Sequence, residues 1–341
     1  MLYSANDNAA AVSHFEAALK LDPEYGRAYA ALGLAYLRGC QLRWNEPLKM
    51  NTAVANVKAL IYLNETKRYP SSLANVAASG INLYNRRYEA AVTEATRAIA
   101  RDPNDPEAYI AMAWAMITTG RPGPGLELVE RAMRLNPTYP NYYVLARGMA
   151  YFAMDDLERA ADVFAQALER DRGAIELAPP LAATYARLGQ REDARASLLL
   201  WKPGASQGEL QNIPTSYHFP YKWSGGREIE DRLIDGVYVA ALPLETTVSS
   251  FADAMKHGNF FERRRATIDL GRFGPAATPA IPALIEALGA EESVMRIQAA
   301  ISLGKIGSAA EAAVPALTAM QAEGGIVGDD AGEALRRIKG K

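Results

Sequence analysis

Two helix endings of the same kind, RAIARDPNDP and RAMRLNPTYP, stand 34 residues apart and close on Pro103 and Pro137. Between them the chain reads PEAYIAMAWAMITTGRPGPGLELVERAMRLNPTY. Tyr109, Met112, Ala113 and Met116 mark one apolar stripe at helical spacing, and Leu126, Val129 and Met133 mark a second. Gly120, Pro122 and Pro124 interrupt the pattern between the stripes, and Pro137 stops it. A lone helical hairpin cannot bury both of its apolar stripes, so a chain built on this unit has to stack copies of it. Asp22-Pro23, in ALKLDPEYGRAY, ends another helix in the same way.

The copies can be followed along the chain. Ala11, Phe15, Ala18 and Pro23 mark the second half of one unit, and Tyr29, Leu32, Gly33 and Tyr36 the first half of the next. Gly39 to Thr52 departs from the pattern and reads as an extended loop, after which TAVANVKALIYLNETKRY is helical again. A unit from Ser72 to Asp105 carries Ala91, Ala98 and Pro103. A further one near Asn141 to Ala174 carries Gly148, Tyr151, Ala160, Phe164 and Ala167, with Arg172 in place of the closing proline. The last carries Leu181, Tyr185, Ala194 and Leu198 and ends at Trp201. These residues and spacings resemble the tetratricopeptide (TPR) repeat, whose pattern is an aromatic, L-G-x2-Y, small residues with an aromatic, and a closing proline. The first unit holds only its second helix, which suits either a capping helix or the C-terminal part of a longer protein.

From Lys202 to Arg227 the helical period fails. Tyr217, Phe219, Tyr221 and Trp223 alternate within seven residues, and so aromatic a segment gains from burial. REIEDRLIDGVYVAALPLE then reads as a short amphipathic helix. Phe219, Pro220, Tyr221, Leu233, Ile234, Asp235, Gly236, Leu242 and Pro243 resemble the segment that follows the TPR region in some bacterial class III adenylate and guanylate cyclases, although Ala241 replaces a glycine of that pattern.

The C-terminal third repeats with a new period. Leu270 and Leu303, Gly271 and Gly304, and Pro282 and Pro315 are each 33 residues apart, and DDAGEALRRI is a third, weaker copy. The pattern R-x2-A-x3-L-G-x2-G followed by P-A-L resembles HEAT repeats of the phycobilin-lyase type. In helix pairs of this kind Arg263 and Arg296 are expected to face neighbouring carboxylates, the glycines to end the first helix, and the proline to start the second. The expected fold is therefore all-α: an α-solenoid, with a TPR superhelix over residues 1–201, an aromatic linker and short helix over 202–245, and HEAT-like repeats over 246–341.

Chemistry is sparse. His14, His218 and His257 have no metal-ligand spacing, and Cys40, the single cysteine, allows no internal disulfide. No nucleophile elbow, zinc helix or phosphate loop is present. A formal net charge of −2, and 11 basic against 11 acidic residues over 251–341, argue against a nucleic-acid surface built on Arg263, Arg264 and Arg265. No apolar run reaches the roughly 20 residues of a membrane span. The expectation is thus a chain without catalysis, metal or cofactor, in a reducing, cytoplasmic setting; a periplasmic setting would follow if a signal had been removed.

What the TPR resemblance does imply is a groove. In such stacks the first helix of each pair lines the concave side, at the second, fifth, ninth and twelfth positions of the unit. Here those are Glu107, Ile110, Trp114 and Ile117, then Tyr142, Leu145, Met149 and Phe152. This set is apolar and aromatic, suited to a peptide or an amphipathic helix. Three states remain open for it: an outside protein partner, self-occupation by Tyr217–Trp223, and a plain packed interior. The favoured function is a protein-interaction scaffold or regulatory module. Rivals are the regulatory C-terminal part of a bacterial cyclase signalling protein, and a HEAT-like lyase or chromophore-handling protein.

Overall fold

The computed structural model describes residues 5–42, 47–210, 227–243 and 246–340. Among these every regular element is helical: α-helices with three short 3-10 segments. After α1 (Ala5–Leu21), five helix pairs follow: α2 (Gly26–Leu42) with α3 (Thr52–Thr66), α4 (Ser72–Tyr84) with α5 (Tyr88–Arg101), and α6 (Pro106–Thr118) with α7 (Pro122–Leu135). The last two are α8 (Asn141–Ala153) with α9 (Leu157–Arg170), and α10 (Ala178–Arg187) with α11 (Arg191–Trp201). The helix α2 runs on to Leu42, through the first part of the stretch expected to be a loop, because Leu37 and Cys40 are buried in a core shared with Ala55 and Ala59 of α3. Burial pushes the Cys40 thiol up to about 11, which removes it as a nucleophile.

One turn is reused inside the pairs. Arg86, Gly120, Asp155 and Gly189 all have φ between 59° and 80° and follow one another at 34 or 35 residues. After each, the next backbone N–H reaches back five residues to a carbonyl: Arg87 to Asn82 at 2.8 Å, Arg121 to Met116 at 2.9 Å, Asp156 to Tyr151 at 3.0 Å, Gln190 to Tyr185 at 2.9 Å. This is the Schellman ending, whose left-handed residue is best filled by glycine. The partner helices then pack mainly through small residues: Ala91, Ala98, Val129, Ala132, Ala160 and Ala194 are all inaccessible to solvent, as is the larger Phe164. Gly148 leaves room for the Phe164 ring, whose atoms lie 2.3–2.8 Å from where a β-carbon would stand.

The described residues divide into two compact units, one of 5–42, 47–174 and 227–230, the other of 175–210, 231–243 and 246–340. The second unit holds α10, α11, most of α12 (Arg227–Ala241), and the C-terminal helices α13 (Val248–His257), α14 (Phe260–Arg272), α15 (Ile281–Ala287), α16 (Ser293–Ile306), α17 (Val314–Ala322) and α18 (Gly325–Ile338). Pro282 and Pro315 stand in the first turn of α15 and α17, as expected of proline. Of each glycine pair, only the second ends a helix: Gly274 and Gly307 have φ of 56° and 78°. Gly271 and Gly304 lie inside α14 and α16, where a β-carbon would meet Ser302 at 2.6 Å and the Ala334 backbone at 3.0 Å. They are there for close helix packing.

The two arginines also divide. Arg296 pairs with Glu323, whereas Arg263 pairs with no carboxylate among the described residues. A buried carboxylate of this unit, Asp269, is held by Arg265 at 2.8 Å and Arg272 at 2.9 Å. Asp235 of α12 continues the network, with Lys305 at 2.5 Å and Arg272 at 3.5 Å. Beside it a β-carbon on Gly236 would stand 2.7 Å from the Ala183 carbonyl oxygen of α10, and Arg191 of α11 donates to the carbonyls of Leu242, at 3.2 Å, and Pro243, at 2.9 Å. The Asp235-Gly236 pair is thereby explained as packing and charge neutralisation within one unit.

Candidate functional site

Within the first unit, α6 starts on Asp105, whose carboxylate accepts from the Glu107 N–H at 2.9 Å, with Pro106 in the first turn. That start sets the rotation of the helix and turns Ile110, Trp114 and Ile117 one way. The helix α8 does the same for Leu145, Met149 and Phe152. All six side chains are buried, Trp114 at 3 % exposure and Ile117, Met149 and Phe152 at 0 %. Glu107 and Tyr142, one turn nearer the N-termini, are half-buried. The helices α6 and α8 are in contact, so the eight residues lie on two packed neighbours.

The polar end of this face is closed by hydrogen bonds. The Tyr142 hydroxyl donates to the Glu107 carboxylate, and the Tyr143 hydroxyl donates to the same carboxylate at 2.7 Å. Burial first, and the Glu107 charge second, hold both phenols well above the usual tyrosine range. The guanidinium of Arg38, on α2, lies 4.9 Å from the centre of the Tyr142 ring, a cation–π contact across roughly a hundred residues of sequence. Tyr139 stacks on Tyr143 at 6.2 Å.

Tyr143 has a counterpart in the other repeats. Tyr29 and Tyr109, six residues after Pro23 and Pro103, donate to those prolines' carbonyls at 3.0 Å and 2.9 Å. Tyr143 stands six residues after Pro137 and donates to Glu107 instead. A structural tyrosine has been redirected to the site. The sequence reading missed Arg38 and Tyr143; the signal for Tyr143 was the shared offset from proline, and Arg38 had none.

Glu107 is engaged by the two phenols. Groups of three or more His, Cys, Asp or Glu side chains that could hold a metal are absent among the described residues. Tyr217–Trp223, the segment read as a candidate occupant, lies outside them. No described helix is long and apolar enough to cross a membrane.

Tetratricopeptide-repeat family models match residues 2–39, 83–147 and 142–173, and a HEAT-repeat model matches residues 248–336. A 92-residue stretch is 33% identical to Hsp70-Hsp90 organizing protein 2 of Arabidopsis thaliana; it covers 27% of this chain and 16% of that protein. The chain therefore corresponds to only a small part of that relative's length. Among solved structures, a tetratricopeptide repeat protein of Parabacteroides merdae is 12% identical at a TM-score of 0.40, covering 87% of this chain and 93% of its own. Pseudomonas aeruginosa pilF is 17% identical at 0.38, covering 80% and 95%. Yeast Tom70 is 14% identical at 0.39, covering 94% and 61%.

Proposed function

We propose that this chain of tetratricopeptide repeats followed by HEAT repeats is a non-catalytic interaction scaffold. Its ligand is an amphipathic helix or apolar peptide received by the α6–α8 face. The observation that carries the reading is the composition of that face. Ile110, Trp114, Leu145, Met149 and Phe152 recur at equivalent positions of two neighbouring repeats, and the polar residues Glu107, Tyr142 and Arg38 stand at one end. Aromatic side chains dominate binding where an interface buries them; these are already covered, so a ligand has to take the place of what covers them, and an apolar face of two helices suits the apolar stripe of a third.

The burial of these side chains favours a second reading of the same face, in which the chain's own Tyr217–Trp223 takes the ligand's place and an outside helix has to displace it. One experiment serves both. An amphipathic peptide with Leu and Trp anchors is titrated against the full chain and against a chain lacking residues 217–223. Self-occupation predicts affinity for the shortened chain at least about tenfold higher, with increased binding of a hydrophobic dye. Equal affinity for both forms leaves the outside ligand as the sole occupant. Failure of peptide and dye to bind either form makes the face plain core and ends the proposal.

A further inference from the structure

The HEAT unit carries a feature of a different kind. Phe261 is 77 % exposed, Val294 42 % and Ile326 74 %, and each is the second residue of its helix, α14, α16 and α18. Single exposed apolar side chains are ordinary; three in register on consecutive repeats make a line. The helices that bear them lie side by side and run the same way. The Ser302 hydroxyl of α16 donates to the Thr267 carbonyl of α14 at 2.8 Å, and Gly304 of α16 abuts Ala334 of α18. Each contact joins residues about eight to twelve positions into their helices, so the three helix starts share one edge. At the interaxial spacing of packed helices, roughly 8–10 Å, Phe261, Val294 and Ile326 form an apolar ridge in two steps.

Charge is distributed unevenly along it. Glu291 and Glu292 immediately precede the helix that carries Val294, and both are exposed. Asp329, also exposed, follows Ile326 by three residues, and Asp330 is half-buried beside it. The nearest basic group on that helix start, Arg296, is committed to Glu323. At the Phe261 end the balance is basic, with Lys256, His257 and Arg264 exposed and Glu262 used to cap α14.

We propose that this edge is a docking surface for an amphipathic α-helix whose apolar residues recur seven apart and whose flanks are basic over Val294 and Ile326. Seven residues of helix advance about 10 Å and return to the same face, which matches one step of the ridge. An extended strand covers the same distance in about three residues, but its period of two would turn alternate anchors away. A second copy of the chain is disfavoured by area: three side chains offer on the order of 400 Å², against about 800 Å² per partner in a stable dimer. The inference goes beyond the α6–α8 reading, since no residue of that face takes part.

The test uses the full chain and a labelled 18-residue synthetic helix with Leu at positions seven apart and Lys on the flanks, followed by fluorescence anisotropy. Saturable micromolar binding is expected. The triple variant Phe261→Ser, Val294→Ser, Ile326→Ser should lose at least about tenfold in affinity, with an unchanged far-ultraviolet circular dichroism spectrum because all three positions are exposed. Glu291→Lys with Glu292→Lys should lose about threefold and flatten the salt dependence. Retention of affinity by the triple variant, or absence of binding by the wild-type chain, overturns the proposal. So does a concentration-dependent dimer in sedimentation that the triple variant abolishes, which would make the ridge a self-association surface. Removing residues 217–223 should leave this binding unchanged, which separates it from failure of the α6–α8 reading.

Discussion

The tetratricopeptide and HEAT portions are both stacks of helix pairs with repeat markers 33 to 35 residues apart, yet two regularly recurring sets of large apolar side chains, one in each portion, end in opposite environments. In the first unit the apolar stripes of α6 and α8 are covered, and even the half-buried rim residues Glu107 and Tyr142 bond to each other. In the second unit Phe261, Val294 and Ile326 recur just as regularly and stand in solvent. Periodicity identifies a repeat position, and the neighbours of that position decide whether it is core or surface.

The most forceful way to break this comparison is to truncate one phenylalanine in each unit. Phe164→Ala removes a fully buried ring seated on Gly148 and should destabilise the first unit by about 3–5 kcal/mol, measured by urea unfolding. Phe261→Ala should shift the second unit by under about 0.5 kcal/mol. Equal effects would dissolve the distinction. A smaller effect is expected at Gly236, where an added side chain meets the Ala183 backbone rather than a movable side chain. Gly236→Val should cost the second unit about 1–3 kcal/mol, read as a lower melting temperature.

The polar end of the α6–α8 face gives a pH signature. The folded state raises the Tyr142 and Tyr143 ionisations, so it favours their protonated forms. That contribution is fully present below the unfolded value near 10 and is lost as the pH rises above it. The wild-type chain should lose melting temperature more steeply above pH 10 than a Tyr142→Phe, Tyr143→Phe variant; parallel profiles would contradict the assignment. The smallest effect belongs to the shared turn. Asp155→Gly relieves a left-handed non-glycine residue at φ 62° and should stabilise the first unit by about 1 kcal/mol, visible in the same melts.

Much of the architecture was legible because proline and glycine punctuate it. Pro103 and Pro137 set the repeat, and Gly120 marked one of the four pair turns. Arg86 and Asp155 fill the same left-handed position without announcing it. The HEAT glycines were half legible: Gly274 and Gly307 end helices, but Gly271 and Gly304 serve contacts with Ser302 and Ala334 that no local pattern contains. The α6 and α8 stripes were legible as a shared face. The reach of Arg38 to Tyr142 was not, since a contact between α2 and α8 depends on how the intervening repeats stack. Phe261, Val294 and Ile326 recur at intervals of 33 and 32 residues but were not legible as a line, since only their exposure separates them from a buried stripe.

The central claim is that the α6–α8 face receives an apolar helix, and Trp114 is its natural reporter. In a chain lacking 217–223 and carrying Trp44→Phe and Trp201→Phe, Trp114 is the one remaining tryptophan. Titration with the Leu/Trp-anchored peptide, its tryptophans replaced by phenylalanine, should shift the Trp114 emission saturably. An emission spectrum that stays unmoved across the titration would contradict the account.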